Sequence, residues 1–399
     1  MNQDLSLLHP YPFEKLAELK LGLTPPEHLN HIALSIGEPQ HPAPPFVVES
    51  LIAHMHQLSS YPSTKGKLEL RETIANWLSN RFNIGASDID PERHILPVTG
   101  TREGLFAIAQ CIIDRTAANP LVLMPNPFYQ IYEGAAILAG AKPQYLNCIE
   151  ANGYLPDLDA ITAQQWADCQ LMYICTPGNP TGAVMSNEYL QQLITLSQKH
   201  DFVLVSDECY SEIYFDEEQP PPGLLGAAAA MGLTGFNRCL IFHSLSKRSN
   251  LPGLRSGFVA GDADILKKFL QYRTYHGCSM PPATQTASIA AWGDETHVVD
   301  NRNRYREKFD QVLATLLATL APQKPQAGFY LWATTPIADT EFASRLYAEQ
   351  NVTVLPGRML SRDTDNGNPG VNKIRMALVA PLEECQDAAN RINTLLSHF

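Results

Sequence analysis

From about residue 46 the chain alternates two hydrophobic rhythms. Short, nearly unbroken apolar runs ("HILPV", "PLVLMP", "CQLMYIC", "DFVLVS", "RCLIFHS") are separated by longer stretches with apolar residues at helical spacing, such as "TGTREGLFAIAQCII" and "TGAVMSNEYLQQLITLSQKH". Apolar runs of this kind are strands buried on both faces, and helices between them imply parallel crossovers. The pattern predicts a mostly parallel sheet covered by helices on both sides. After about residue 285 the rhythm changes. A long charged helix, "WGDETHVVDNRNRYREKFDQVLATLLATL", precedes "AGFYLWAT", "NVTVLPG" and "NKIRMALV", which read as a small mixed sheet. The first forty-odd residues are Pro-rich and irregular. The expected organisation is residues 1–45 as an arm and part of a small domain, 46–285 as a large domain and 286–399 as the small domain.

Each large-domain strand ends in polar or glycine residues: "TGTR", "PNPFY", "TPGNPTG", "SDECY" and "HSLSK". Open α/β sheets bind ligands beyond the carboxyl ends of their strands, so these five clusters are expected to meet in one pocket.

Composition narrows the classes. With 29 Lys+Arg against 41 Asp+Glu, the chain has no general basic face for nucleic acid or anionic lipid, and neither is expected as a partner. The 8 cysteines show no Cys-x-x-Cys spacing and several lie inside apolar runs, which reads as buried thiols in a reducing compartment. "MNQDLSLLHPYPFEKL" has an early acid, prolines and no apolar core, unlike a signal peptide. "GLLGAAAAMGLTGF" is too short and small-residue-rich for a membrane span. A cytoplasmic protein is expected.

The residue that asks for an explanation is Lys247, which directly follows the apolar strand of "IFHSLSKRSNLPGLRSG". A lysine is ordinarily a solvated charge. At a strand end it would lose water, its pKa would fall, and the neutral amine could attack a carbonyl to form a Schiff base. That makes pyridoxal phosphate a candidate cofactor. Its phosphate would need a helix N-terminus, hydroxyls and a cation, for which "TGTREG", Ser244, Ser246 and Arg255 are available. Its ring nitrogen would need a carboxylate, and Asp207 ends a strand; a helix cap is the competing reading. Tyr210 and Asn179 could bind the phenolic oxygen, although Asn179 also suits an Asn-Pro turn. Tyr129 could stack on the ring or belong to the core.

Taken in order, "NPTG", "SDECY", "SLSK" and "GLRSG" resemble the class I aminotransferases, fold type I pyridoxal-phosphate enzymes, over nearly the whole chain. The resemblance implies an α/β fold: a large domain with a mostly parallel seven-stranded sheet, plus a smaller α/β domain from the N- and C-terminal segments. It implies Lys247 as the Schiff-base and proton-moving lysine, Asp207 as the pyridinium partner, and Tyr210 and Asn179 as ligands of the phenolic oxygen. Tyr129 takes the place of the stacking aromatic, and Thr101, Arg102, Ser244, Ser246 and Arg255 fall where the phosphate is held. Gly37, in "LSIGEP", falls near the substrate carboxylate, and Arg375, in "KIRMAL", resembles the arginine that grips it. A planar guanidinium suits bidentate pairing there. Tyr61 resembles the tyrosine that reaches the phosphate across a dimer interface, which implies a homodimer.

Further stretches, including "LHPYPFEKL", "SIGEPQHPAP", "NPFYQIYEGAA" and "YRTYHGCSM", are similar to the bacterial succinyldiaminopimelate transaminases of lysine biosynthesis. These move an amino group from glutamate to N-succinyl-2-amino-6-oxopimelate. Arg358, after "VLPG", stands where a small residue is expected; a surface position is preferred to a distal-carboxylate ligand. A broad aspartate, alanine or aromatic aminotransferase is the alternative. A pyridoxal-phosphate β-lyase, which shares the fold and the lysine, ranks lower, as does a non-catalytic regulator: a DNA-binding one needs an added basic module, and a silent one would be expected to lose Lys247, Asp207 or Arg375, all of which are present.

Overall fold

The computed structural model describes residues 1–316, 320 and 323–399. The chain starts with α1 (Pro12–Leu19) and a short strand, β1 (Ile32–Ala33), then α2 (Pro45–Ala53) and α3 (Leu68–Phe82). Next come β2 (Ile95–Val98), α4 (Thr101–Ile112), β3 (Leu121–Asn126), α5 (Ile131–Leu138), β4 (Lys142–Asn147), α6 (Ala163–Asp168) and β5 (Cys169–Cys175). The large domain continues through α7 (Asn187–His200), β6 (Val203–Asp207), α8 (Leu224–Ala230), β7 (Cys239–Ser244), α9 (Leu245–Arg248), β8 (Gly257–Gly261), α10 (Ala263–His276) and α11 (Pro282–Trp292).

Its seven strands lie in the order β2-β8-β7-β6-β5-β3-β4, with β8 antiparallel to both neighbours and the remaining pairs parallel. The expected fold class is thus observed. Successive residues of one strand feed opposite cores: Leu204, Cys239 and Ile241 pack with α3 and α11 residues, while Val203, Val205, Leu240 and Phe242 pack against α4 and α5. This two-sided burial is why the strands read as unbroken apolar runs.

The second domain holds α12 (Thr296–Thr315), β9 (Tyr330–Thr334), α13 (Asp339–Gln350), β10 (Val352–Thr353), β11 (Leu355–Pro356), β12 (Lys373–Ala377) and α14 (Leu382–Leu396). Strands β11, β12 and β9 form an antiparallel sheet, and β1 pairs in parallel with β10, so the N-terminal segment joins this domain. Ile32 and Leu34 are part of its core.

The domain division at 285/286 shifts. Helix α11 packs on α2 and α3, and its Ala287, Ala291 and Trp292 belong to the large-domain core; α12 is the first helix of the second core. The expected continuous helix from Trp292 is also interrupted. Gly293 ends α11, and the Asp294 carboxylate accepts from the His297 N–H at 3.1 Å to start α12. The expected last turn includes residues 317–319, which lie outside the described residues. Among the described residues no helix is long and apolar enough to cross a membrane.

Candidate active site

The polar strand ends do converge. They surround a cavity of about 540 Å³ closed on the far side by β11, β12 and the segment after β1. Every site residue expected from the sequence lines it except Tyr61.

Lys247 sits on α9, a single turn that begins where β7 stops. The Ser244 hydroxyl caps that turn, accepting from the Ser246 N–H at 3.1 Å. The Lys247 amine donates to the Gly37 carbonyl and lies 5.3 Å from the centre of the Phe329 ring. Burial pulls its pKa down to about 8; Arg375 and Arg255 add to the shift, and Cys209 and Glu38 oppose it. The amine is therefore a usable nucleophile and base near neutral pH.

Asp207, at the end of β6, is only 4% exposed. Its carboxylate accepts from the Tyr132 hydroxyl at 2.7 Å and the Cys209 N–H at 3.3 Å. It makes no ion pair among the described residues, and burial raises its pKa. A buried carboxylate with hydrogen bonds but no paired cation suits a cationic ring N–H. Tyr210 and Tyr330 share a hydrogen bond of 3.0 Å, and both line the cavity.

An anion cradle forms where α4 begins. Gly100, at φ +88°, precedes the helix, and any Cβ there would collide with the Arg255 guanidinium. Glycine thus lets Arg255 lie against the exposed N–H groups of α4. Arg255 donates to the Pro252 carbonyl at 2.9 Å, and the Ser244 and Ser246 hydroxyls, 2.9 Å apart, complete the set with Thr101. The Arg102 side chain departs from the expected phosphate role. Its guanidinium donates to the Tyr129 hydroxyl at 2.8 Å and the Tyr11 hydroxyl at 3.3 Å, which leaves only its main chain at the helix N-terminus. Tyr129 faces the cavity with its hydroxyl held by this bond.

Arg375, on β12, is 4% exposed yet has no carboxylate partner among the described residues. It donates to Asn179 Oδ1 at 3.0 Å and the Ser35 carbonyl at 2.7 Å, and stacks 4.4 Å from the centre of the Tyr330 ring. Gly37 is required at its position because a Cβ would strike the Tyr330 hydroxyl. Arg358 does not line the cavity. It pairs with buried Asp339 at 2.7 Å, and its side chain is 41% exposed.

Sequence reasoning missed Tyr11, Tyr132, Tyr330, Cys175 and Cys209 as cavity or supporting residues. Tyr132, Tyr330 and Cys175 lie beside apolar residues and read as core, while Tyr11 falls in the Pro-rich arm and Cys209 in a polar strand-end cluster. Only "SDECY", which places Cys209 two residues after Asp207, offered a signal. Tyr61 is fully exposed in the single chain. The amine, the unpaired carboxylate, the phenols and the cradle together fit the aldehyde, ring nitrogen, phenolic oxygen and phosphate of pyridoxal phosphate.

Comparison with known proteins agrees with this geometry. Residues 30–392 match the family "Aminotransferase class I and II". The chain is 32% identical to an LL-diaminopimelate aminotransferase of Syntrophobacter fumaroxidans, over 98% of this chain and 97% of that one. A crystal structure of an aminotransferase from Neisseria meningitidis superposes with a TM-score of 0.95 at 46% identity, covering 99% and 100% of the two chains. A probable N-succinyldiaminopimelate aminotransferase from Thermus thermophilus gives 0.83 at 27% identity, covering 96% and 99%. The chain belongs to the class I and II aminotransferases, a family of pyridoxal-phosphate-dependent enzymes acting on amino and keto acids.

Proposed function

We propose that the chain transfers the amino group of glutamate to N-succinyl-2-amino-6-oxopimelate, in diaminopimelate and lysine biosynthesis, using pyridoxal phosphate held at Lys247. The observation that carries this reading is the meeting in one cavity of a desolvated amine, a buried unpaired carboxylate, an anion cradle and a second, deep guanidinium. When bound, the cofactor supplies an electron sink that makes the Cα–H bond of an amino acid acidic. The chain does the rest. Asp207 keeps the ring nitrogen protonated, Tyr210 and Asn179 hold the phenolic oxygen, and Thr101, Ser244, Ser246 and Arg255 hold the phosphate. Arg375 takes the substrate α-carboxylate and so orients Cα. Lys247 removes the proton from Cα and returns it across the carbon–nitrogen bond. The second half-reaction runs these roles in reverse on the keto acid, giving ping-pong turnover.

The substrate reading is supported by the likeness to the Thermus protein and by Arg102 at the rim. A guanidinium has five N–H donors, and Arg102 commits two of them to Tyr129 and Tyr11, which leaves others for the anionic far end of a long acceptor. The names of the diaminopimelate relatives favour a second reading, in which LL-diaminopimelate itself is the amino donor. We further propose a homodimer in which Tyr61 reaches the phosphate of the neighbouring site.

A substrate panel tests the assignment. With glutamate as donor, the succinylated keto acid should give the highest kcat/KM. Equal or better turnover of oxaloacetate would indicate a broad aminotransferase. Faster amino transfer from LL-diaminopimelate to 2-oxoglutarate would favour the second reading, and pyruvate with ammonia from a cysteine-type substrate would mark a β-lyase.

A further inference from the structure

We propose that Asn301 is a positioning residue for Lys247, and that it couples the segment over the site to the main chain of that lysine. Helix α9 is one turn long, so its last carbonyls have no helical donors of their own. Two of them, those of Lys247 and Arg248, accept from Asn301 Nδ2 at 3.1 and 3.2 Å. Asn301 Oδ1 in turn accepts from Asn250 Nδ2 and from His41 Nδ1, both at 2.9 Å. The buried amide thereby uses both donors and both acceptor sites, which fixes its orientation.

The partners make this more than a helix cap. His41 lies four residues after Gly37, whose carbonyl accepts from the Lys247 amine. The segment 37–41 therefore holds Lys247 at its side chain directly and at its main chain through Asn301. Asn301 itself lies in the second turn of α12, just past the junction of the two domains. A displacement of either the N-terminal segment or α12 is transmitted to the one residue that must alternate between binding the cofactor and moving a proton.

The inference rests on Lys247 being the proton-moving group of the proposed reaction. The test compares holoenzymes of Asn301→Asp, which keeps the acceptor oxygen but loses the two donors, and Asn301→Ala. Ser197→Ala serves as a control. Ser197 is buried near the end of α7, donates to the Phe202 carbonyl at 2.7 Å and does not line the cavity. Measured quantities are the Cα-deuterium isotope effect in the glutamate half-reaction and the pH midpoint of the bound cofactor's visible absorbance.

Both Asn301 variants should slow the half-reaction about 10- to 100-fold, raise the isotope effect and shift the absorbance midpoint, with KM for glutamate little changed. The control should lose thermal stability with neither spectroscopic nor isotope change. An isotope effect and midpoint at wild-type values in the Asn301 variants, with only a fall in Tm, would overturn the proposal. If neither Asn301 variant folds, His41→Leu decides, since it cuts the tie to segment 37–41 and spares both carbonyl bonds. A raised isotope effect there supports the coupling, and an unchanged one removes it. A wild-type enzyme without any Cα isotope effect and without a Lys247 adduct would instead refute the underlying reading of the site.

Discussion

The proposed chemistry turns on Lys247 and on how little water reaches it. Burial lowers its pKa to about 8, so the neutral fraction of the amine grows as pH rises through that value and is lost below it. In cofactor-free protein, labelling of Lys247 by an amine reagent, followed by peptide mass spectrometry, should be half-maximal near pH 8. An ordinary lysine would respond only near about 10.4. Arg375 makes a second residue-scale prediction. Lysine in its place keeps the charge but not the planar fork, so Arg375→Lys should raise KM for glutamate and for the keto acid alike. Loss of a charged hydrogen bond, about 1.5–3 kcal/mol, corresponds to roughly 10–100-fold. A change confined to one substrate would place Arg375 away from the shared α-carboxylate. Lys247 and Asp207 stood out because each lies at or just past a strand end, while Asn179 also suited a turn and Arg375, in the middle of β12, stood out only through the family resemblance. Tyr132, Tyr330 and Asn301 were not legible, because a phenol beside apolar residues reads as packing and an amide in a charged helix reads as solvated, until a partner from a distant segment is seen.

Among the elements, the turn after β11 ties the small domain to the large one. Arg362 donates to both Glu133 oxygens, at 2.8 and 2.6 Å, and the Tyr145 hydroxyl donates to the same carboxylate at 2.6 Å. Asn126 accepts from the Arg362 N–H at 3.0 Å and donates to its carbonyl at 2.9 Å, while the Phe128 N–H donates to the Leu360 carbonyl at 3.1 Å. Both ionic side chains are largely buried, 12% and 5% exposed. Arg362→Met would strand the Glu133 charge, so a loss of about 3–5 kcal/mol is expected by denaturant unfolding. A loss below about 1 kcal/mol would mean that the pair behaves as a surface bridge. None of this was readable from the sequence beside "TDNGNPG" (Thr364–Gly370), which looks like a solvated turn. The sheet core was readable, but the flanking strands were less so: β4 is a partly exposed edge strand, and β8 is short and bounded by glycines. The break at Gly293 was hidden because a single glycine does not by itself end a helical pattern, and Trp292 reads together with the charged segment that follows.

For the whole molecule, the site lies between two domains, and a run of exposed apolar side chains borders it in sequence: Val48, Ile52, Met55, Leu58, Tyr61 and Leu68. Exposed side chains of this kind suit an interface. Sedimentation should therefore give twice the chain mass, and Tyr61→Phe should weaken cofactor binding roughly 10-fold or more through loss of one hydrogen bond to the phosphate. A monomer with unchanged affinity would separate Tyr61 from the site. The central claim, that Lys247 carries the cofactor covalently, has a more direct test. Protein incubated with pyridoxal phosphate, reduced with borohydride and digested should yield one phosphopyridoxyl peptide, with the label on Lys247. Colourless protein with no adduct, or an adduct on another lysine, would contradict the account.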